Sequence, residues 1–448
     1  MALRETTEFL LKHRALVLRV FLPFVAGYYL SYLFRTINSL IAAPLTSELS
    51  LGAGDLGLLT SVYFLTFAAA QIPIGVLLDR YGPRRIQSAL LVAAAAGAAL
   101  FAGSDNFLLL LVGRALMGFG VAAALTAGLK ALVLWFPSGR VPLLNGLMIM
   151  LGALGAVTAT SPADMVLASI GWRGLFRLFA AVTAACAAII YLVVPEAISV
   201  ASGTAKVSLR QVYTNPRFWR LAPLSATSIG TAWSLHGLWA SQWLADVEGL
   251  DRTAVVRHLF VMAVVVSVGA LLFGVAVGRL RNRGIGPQAL LGFVAGVSIA
   301  AQLALILRLS LPSYVLWTIV AMMGAATVLS YASLAQQFPK ELAGRANGFL
   351  NFLHIGAAFA VQTATGQVLQ LWTPEAGHYP QVAYQTAFAL NLAPQILAAL
   401  WFAIPWFFRI LKRNTSVSPH TQRTCKIRQV PPTSISGCVP PFLIRRSS

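Results

Sequence analysis

Twelve apolar segments, each roughly 20 residues long, dominate the sequence and constrain how it can fold. They lie near residues 18–43, 54–78, 86–104, 107–132, 142–167, 174–194, 219–244, 255–278, 287–308, 312–337, 346–371 and 383–408. A helix of this length crosses the hydrocarbon core of a bilayer, and hydrocarbon offers no hydrogen-bonding partner to an open backbone. The pattern therefore predicts an all-α integral membrane protein with twelve transmembrane helices, numbered here as spans 1 to 12.

The charges support this interpretation. Charged residues make up 10% of the chain and apolar residues 58%, whereas soluble domains carry about 25% charged residues. The formal net charge of +20 could suggest a nucleic-acid partner. The basic residues lie in short loops between apolar segments, however, which is typical of membrane topology, so we expect a lipid bilayer and no nucleic acid.

The loops differ in charge between the two sides of the predicted membrane. The loops after spans 2 and 8 are rich in arginine (Arg80, Arg84, Arg85, Arg279 and Arg283), and the opposite loops hold few basic residues. By the positive-inside rule, both termini and the arginine-rich loops are expected on the cytoplasmic side of the plasma membrane.

A short charged hinge connects spans 2 and 3. It reads Gly75-Val-Leu-Leu-Asp79-Arg80-Tyr-Gly82-Pro-Arg84-Arg85. This resembles the signature G-x-x-x-D-R-x-G-x-R-R of the major facilitator superfamily of membrane transporters. The resemblance implies two pseudo-symmetric six-helix halves and a cytoplasmic latch that closes when the transporter faces outward; the latch residues would be Gly75, Asp79, Arg80, Gly82 and Arg84.

Two further expectations concern this hinge. Gly75 would allow two helices to approach closely, and Asp79 would pair with Arg80 or Arg84. In the second half Gly278 replaces the acid, so a one-sided latch is expected. A merely solvated turn is the alternative interpretation.

An internal repeat supports the two halves. Phe136-Pro137 recurs as Phe338-Pro339 about 200 residues later, in matching loop contexts. The predicted organisation is an N-terminal half (1–194), a cytoplasmic linker (195–218), a C-terminal half (219–411) and a disordered basic cytoplasmic tail (412–448).

Span 1 carries the strongest candidate for a binding site. Polar residues recur along it at helical spacing and share one face: Tyr28, Ser31, Tyr32, Arg35, Asn38 and Ser39. A charge inside a span costs about 2.5–3.5 kcal/mol, so Arg35 must face protein or a water-filled path. We predict that Arg35 binds an anionic substrate group, with Tyr28, Tyr32 and Asn38 beside it. The alternative is a structural or snorkelling arginine.

Residues 27–82 also resemble the organophosphate antiporter branch of the superfamily, in which span 7 carries a second substrate-binding arginine. Here His236 occupies the equivalent position. It could share an anion with Arg35 and couple transport to a proton, since histidine carries charge only when protonated. A histidine that only packs and hydrogen-bonds is the alternative.

Four more residues complete the predicted site. Arg114 lies in a sequence that resembles the family's R-x-x-x-G-x-G signature, which links it to proton movement. Tyr331, Asn351 and His354 lie on spans 10 and 11 and could line the cavity. Packing hydrogen bonds would explain them equally well.

The prediction is a secondary active transporter that works by alternating access. It would act as a monomer on a small organic anion, by proton symport or exchange. One alternative is efflux of a neutral or cationic compound, which would need Asp164 or Asp246; another is a transporter-like sensor. No motif predicts a metal site, a cofactor or an enzyme.

Overall fold

The computed structural model describes residues 14–137, 140–196, 210–281, 283–338, 340–375 and 377–415. Most of the predicted linker (197–209) and of the predicted basic tail (416–448) lies outside the described residues. Within them the chain is helical. The extended structure found there is one isolated bridge between Glu375 and His378.

The prediction of an all-α integral membrane fold is confirmed, and among the described residues nine helices are long and apolar enough to cross a bilayer. The helical segments are Arg14–Leu16, Val17–Phe21, Leu22–Thr36 and Asn38–Leu49 (span 1); Ala53–Ala102 (spans 2 and 3); Phe107–Val121 and Ala124–Trp135 (span 4); Val141–Thr158 and Ser161–Val193 (spans 5 and 6); Pro216–Ser234, Leu235–Trp239 and Ala240–Asp246 (span 7); Arg252–Arg281 (span 8); Pro287–Ile306 (span 9); Ser313–Ala325 and Thr327–Gln337 (span 10); Lys340–Leu369 (span 11); and Gln381–Thr415 (span 12). A short helix, Arg210–Tyr213, precedes span 7.

Two glycines reverse the chain inside segments that are otherwise helical. Gly82, at φ 79°, separates span 2 from span 3, and Gly171, at φ 67°, separates span 5 from span 6. Positive φ is open to glycine without the steric cost that a Cβ brings. We call the end of the bundle that carries Gly82 the hinge face, and the end that carries Gly171 the far face.

Equivalent spans of the two halves are irregular at equivalent places. Span 1 leaves regular helical geometry at Ile37, and span 7 contains the π-helical segment Leu235–Trp239 about 200 residues later. Spans 4 and 10 break in the same way, before Ala124 and at Ala326. Such interruptions are frequent at functional sites in helices. The repeat seen in the sequence is therefore also present in the backbone.

Small residues let the helices pack closely. A Cβ on Gly97 would lie 2.6 Å from the Gly113 carbonyl oxygen, where spans 3 and 4 cross. Between the halves, a Cβ on Gly366 of span 11 would lie 2.7 Å from the Ala53 oxygen of span 2. Without a hydrophobic force between helices in lipid, such backbone contact is a main source of association.

Candidate functional site

A central cavity lies between the two halves of the bundle. Its volume is about 960 Å³ with its mouth included. Spans 1, 2, 4 and 5 of the first half and spans 7, 8, 10 and 11 of the second contribute its walls. The polar and charged residues that line it, with one tryptophan, are Tyr28, Ser31, Tyr32, Arg35, Tyr63, Gln71, Thr126, Trp233, Thr327, Tyr331 and Asn351.

Arg35 is the charged group of this cavity. Its guanidinium carbon lies 4.1 Å from the centre of the Tyr32 ring and 4.6 Å from that of the Trp233 ring. Both distances are within the range of cation–π attraction. The ion pairs between described residues do not include Arg35. Aromatic rings therefore hold the arginine, and no carboxylate in the described part of the chain neutralises it.

The structure brings together five of the residues predicted to bind substrate. Tyr28, Tyr32 and Arg35 reach the cavity from span 1, and Tyr331 and Asn351 reach it from spans 10 and 11. The Tyr331 hydroxyl donates to Asn351 Oδ1 at 2.9 Å. The two halves thus present polar groups to one shared space.

Asn38 lies outside this cavity, contrary to the expectation from its helical spacing. It is buried, and its Oδ1 accepts a hydrogen bond from Arg114 Nη2. A one-residue interruption at Ile37 lies between Arg35 and Asn38, and Asn38 contacts span 4 instead of the cavity. Ser39 is likewise used locally, since it donates to the Thr36 carbonyl at 2.9 Å.

Arg114 is fully buried and does not line the cavity. It contacts Asn38 and lies over the rings of Tyr63, at 5.5 Å, and Phe101, at 5.8 Å. Its Nε and Nη1 atoms have no hydrogen-bond partner among the described residues. The structure therefore places Arg114 one layer behind the cavity wall, in contact with span 1.

His236 lines a second, smaller cavity of about 350 Å³ with the adjoining open solvent included. This cavity shares Tyr32, Arg35 and Trp233 with the central one and continues past them to Thr36. His236 Nε2 is buried and finds no hydrogen-bond partner among the described residues. Arg35 thus separates the two spaces, and His236 faces it from the smaller one.

His354 does not line either cavity. It is fully buried, and its Nε2 lies 2.7 Å from Ser225 Oγ. Its ring packs against Trp233 and Tyr331, at 5.9 and 6.0 Å between ring centres. The prediction that His354 contacts substrate is therefore not supported by its placement; it backs two residues that do line the cavity.

The acids named for the efflux alternative are engaged elsewhere. Asp164 accepts from Arg252 at 2.6 Å. Asp246 accepts from the Tyr384 hydroxyl at 2.6 Å and pairs with His378 at 2.8 Å. Among the described residues, no aspartate or glutamate lines the central cavity.

Hydrogen bonds join the halves between the cavity and the far face. Gln362 Nε2 of span 11 donates to Thr60 Oγ1 of span 2 at 2.8 Å. The Tyr379 hydroxyl accepts from the Ala53 N–H at 3.1 Å. The ion pair between Asp164 and Arg252 joins spans 5 and 8 in the same region. These contacts close the bundle on the far-face side of Arg35.

The hinge residues include a contact that was not predicted. Asp79 pairs with Lys130 of span 4 at 2.6 Å, in addition to any contact with the arginines beside it. Lys130 Nζ also donates to the Leu78 carbonyl at 2.7 Å, because its long stem reaches the end of span 2. A Cβ on Gly75 would meet nothing within 4 Å, so this glycine mediates no close approach here.

The arginines of the hinge hold it to the end of span 6. Arg84 Nε donates to the Tyr191 carbonyl at 2.7 Å and lies over the Tyr191 ring at 5.0 Å. Arg85 forms an ion pair with Glu196. Arg80 lies over the ring of its neighbour Tyr81. These contacts stay within the first half and the first residues of the linker.

Several residues of the site were missed in the sequence. Gln71 lines the cavity, and its Nε2 donates to the Ala122 carbonyl at the break in span 4, at 2.9 Å. Tyr63 also lines it and donates to the Ser31 carbonyl at 3.1 Å. The helical spacing of Tyr63, Phe67 and Gln71 on span 2 was the available signal. Gln362 lies roughly along the face of Asn351 and His354 on span 11 and could be expected near the cavity, but its pairing with Thr60 gave no signal, because it depends on how the halves meet.

The sequence of this chain is similar to those of known membrane transporters. The Major Facilitator Superfamily model matches residues 24–363. The probable sulfoacetate transporter SauU of Cupriavidus necator is 28% identical over 157 residues, which cover 35% of this chain and 36% of that protein. The hexuronate transporter of Escherichia coli K12 is 25% identical over 270 residues, covering 55% and 62%. The matches thus span about a third of the first relative and under two thirds of the second.

A solved structure shares the fold. The chain is similar to a bacterial homolog of the human lysosomal transporter Spinster, in an inward-facing and unoccupied conformation. The TM-score is 0.71 with 20% sequence identity, over 86% of this chain and 95% of the other. At this identity the likeness establishes the architecture of the helices.

Proposed function

Since the chain belongs to the Major Facilitator Superfamily, and is thus a multi-pass membrane transporter rather than an enzyme, we propose that it moves a small organic anion by alternating access. The observation that carries this proposal is Arg35. It is a cation in a central cavity between the halves, held by two aromatic rings and without an acidic partner among the described residues. An unneutralised charge at that depth costs free energy, and a bound ligand of opposite charge would reduce that cost.

The relatives are compatible with this substrate class. Their names describe transporters of sulfoacetate and of hexuronate, which are organic anions. The efflux alternative has less support, because Asp164 and Asp246 are paired outside the cavity. A cation or neutral substrate would leave Arg35 uncompensated.

The hinge face is assigned to the cytoplasm by its arginine-rich loops, which puts both termini on that side. The bonds that join the halves at the far face then close the outer side, and the proposed state is inward-facing. The pairing of Asp79 with Lys130 fits this state. The hinge would contact the second half only when the cytoplasmic side closes. We further propose that the protein acts as a monomer.

His236 is the candidate for proton coupling. Its Nε2 has no hydrogen-bond partner among the described residues, and its side chain lines a small cavity that Arg35 also lines. A proton on His236 would add a second positive charge beside the anion, and losing it would weaken the anion's hold. Arg114 would contribute by holding span 1 through Asn38.

The proposal is tested by uptake into proteoliposomes, with Arg35→Ala and the control Arg308→Ala, whose arginine lies outside the central cavity. An inward proton gradient should drive uptake of organic anions by the wild type and by Arg308→Ala. Arg35→Ala should lose it by more than about tenfold, since a buried charge-assisted contact is worth about 1.5–3 kcal/mol. Full anion uptake by Arg35→Ala would refute the role of Arg35. Proton-dependent uptake that survives in His236→Gln would refute the coupling role.

A further inference from the structure

Apolar side chains form much of the wall of the central cavity away from Arg35. They are Phe64 and Phe67 of span 2, Ile149 of span 5, Val266 and Ala270 of span 8, and Val328 of span 10. These side chains come from both halves and line the same space. Such a surface stabilises an apolar body, because burial removes apolar area from water.

Four of the polar side chains among these walls already donate to protein groups. Thr126 donates to the Ala123 carbonyl at 3.1 Å, and Thr327 to the Gly324 carbonyl at 2.9 Å. The amide of Gln71 donates to a backbone carbonyl of span 4 and the hydroxyl of Tyr331 to the side chain of Asn351, both at 2.9 Å. The Tyr63 hydroxyl donates to the Ser31 carbonyl, and the other hydroxyls, of Tyr28, Ser31 and Tyr32, lie on span 1 with Arg35. A ligand with hydroxyl groups over its whole body would leave unpaired those that face Phe64, Phe67 and Val266, and an unpaired buried hydroxyl weakens binding.

One side chain also carries all the formal charge among the described residues of the cavity wall. Among the described residues that line it, Arg35 is the one with a formal charge. Tyr32 and Trp233 cover its guanidinium, and no described acceptor bonds to its N–H groups. A guanidinium stacked in this way keeps its edge free for a bidentate contact with a carboxylate. A second carboxylate would meet the apolar walls and lose its hydration without a partner.

From these three features we propose that the preferred substrate is a monoanion with an apolar, aromatic body. Its single carboxylate binds Arg35, and its body lies against Phe64, Phe67 and Val266. A polyhydroxylated acid or a dianion fits less well. This inference rests on the proposed anion transport and narrows it to one chemical class.

The test is equilibrium binding to the full-length protein in lipid nanodiscs, by calorimetry with four probes. These are phenylacetate, the uncharged phenylacetamide, the polyhydroxylated galacturonate and the dianion of phenylenediacetic acid. Phenylacetate should bind at least about tenfold more tightly than each of the other three, which is about 1.4 kcal/mol. In Arg35→Ala, phenylacetate and phenylacetamide should bind equally.

A matched pair of variants tests the wall without touching Arg35. Val266 faces the cavity, whereas Val268 on the same span has 46% of its side chain exposed on the bundle surface. Val266→Thr keeps the shape and adds a hydroxyl, so it should weaken phenylacetate binding several-fold, whereas Val268→Thr should not. This pair keeps the inference testable even if Arg35→Ala fails to fold.

The outcomes separate this inference from the proposed function. Tighter binding of galacturonate or of the dianion, lost in Arg35→Ala, would overturn the aromatic monoanion and leave anion transport standing. Binding of phenylacetamide alone, unchanged in Arg35→Ala, would overturn both. No binding of any probe, or equal effects of the two valine variants, would also count against the aromatic site.

Discussion

The hydrogen bond from Gln362 to Thr60 should act as a gate on the outer side of the cavity. Gln362 is 1% exposed and bonds two spans at once. Its Oε1 accepts from Ser234 of span 7 at 2.6 Å, within the second half. Its Nε2 donates to Thr60 of span 2 at 2.8 Å, across the halves. Opening the outer side separates the second pair and leaves the first in place.

The expected change in the ratio of outward- to inward-facing protein follows from the fact that only one of the two bonds breaks on opening. Gln362→Met keeps an unbranched side chain of similar volume and removes both bonds. Loss of the bond to Ser234 affects the inward- and outward-facing states equally, so it changes stability and not their ratio. Loss of the bond to Thr60 favours opening by about 0.6–1.5 kcal/mol, the range for hydrogen bonds in membrane and soluble proteins. The outward-to-inward ratio should therefore rise about 3- to 12-fold.

The ratio can be measured as a distance distribution between spin labels on the far face. Ile170 of the first half and Leu371 of the second are suitable positions, at 49% and 77% exposure. The labels require prior replacement of Cys186, Cys425 and Cys438. The long-distance population should grow in Gln362→Met.

Two controls make the measurement decisive. Ser234→Ala breaks the bond within the second half, so it should leave the distribution unchanged. Thr60→Val removes the same gate contact, so its effect should not add to that of Gln362→Met. An unchanged distribution in Gln362→Met, or an equal shift in Ser234→Ala, would refute the gate.

Two further predictions concern the ends of the bundle. The Trp172 indole N–H and the Arg173 guanidinium hold the pKa of Glu48, beyond the predicted end of span 1, below its usual 4.5. The stability from this contact is present above pH 4.5 and lost as the pH falls through the lowered pKa. The melting temperature of the wild type should therefore exceed that of Glu48→Gln at pH 7. This difference in melting temperature should shrink as the pH is lowered, and a difference that does not change with pH would contradict the prediction. At the hinge, Asp79→Asn should slow transport while leaving substrate affinity and melting temperature nearly unchanged, because the Asp79 side chain is 76% exposed and such ion pairs contribute about 0–1 kcal/mol. Normal turnover in reconstituted Asp79→Asn would exclude a latch at this position.

The sequence was sufficient for the spans and for the position of Arg35. A span is recognised from the local run of apolar residues, because the bilayer imposes its length on each helix separately. The shared face of Tyr28, Tyr32 and Arg35 follows from helical spacing, which is also local. The turn at Gly82 could be predicted in the same way, from a charged interruption between apolar segments.

The tertiary structure decided the partners of these residues. Asn38 fits the helical face of Arg35, yet its side chain accepts a hydrogen bond from Arg114, 76 residues away. Asp79 has arginines beside it in sequence, yet it pairs with Lys130, 51 residues away. Helical period describes one regular helix, and it cannot report where that helix bends or which neighbour it meets.

The hydrogen bond proposed as the outer gate also could not be predicted from helical period. Gln362 and Thr60 are 302 residues apart, and they lie in different halves. Their hydrogen bond exists because glycines let spans 2 and 11 cross at backbone contact in this state of the bundle. The sequence by itself determined which segments cross the membrane and where a charge lies within them, since lipid acts on each segment alone. Only the packing of the two halves determined which polar groups meet, because hydrogen bonds depend on distances of a few ångströms that no local pattern encodes.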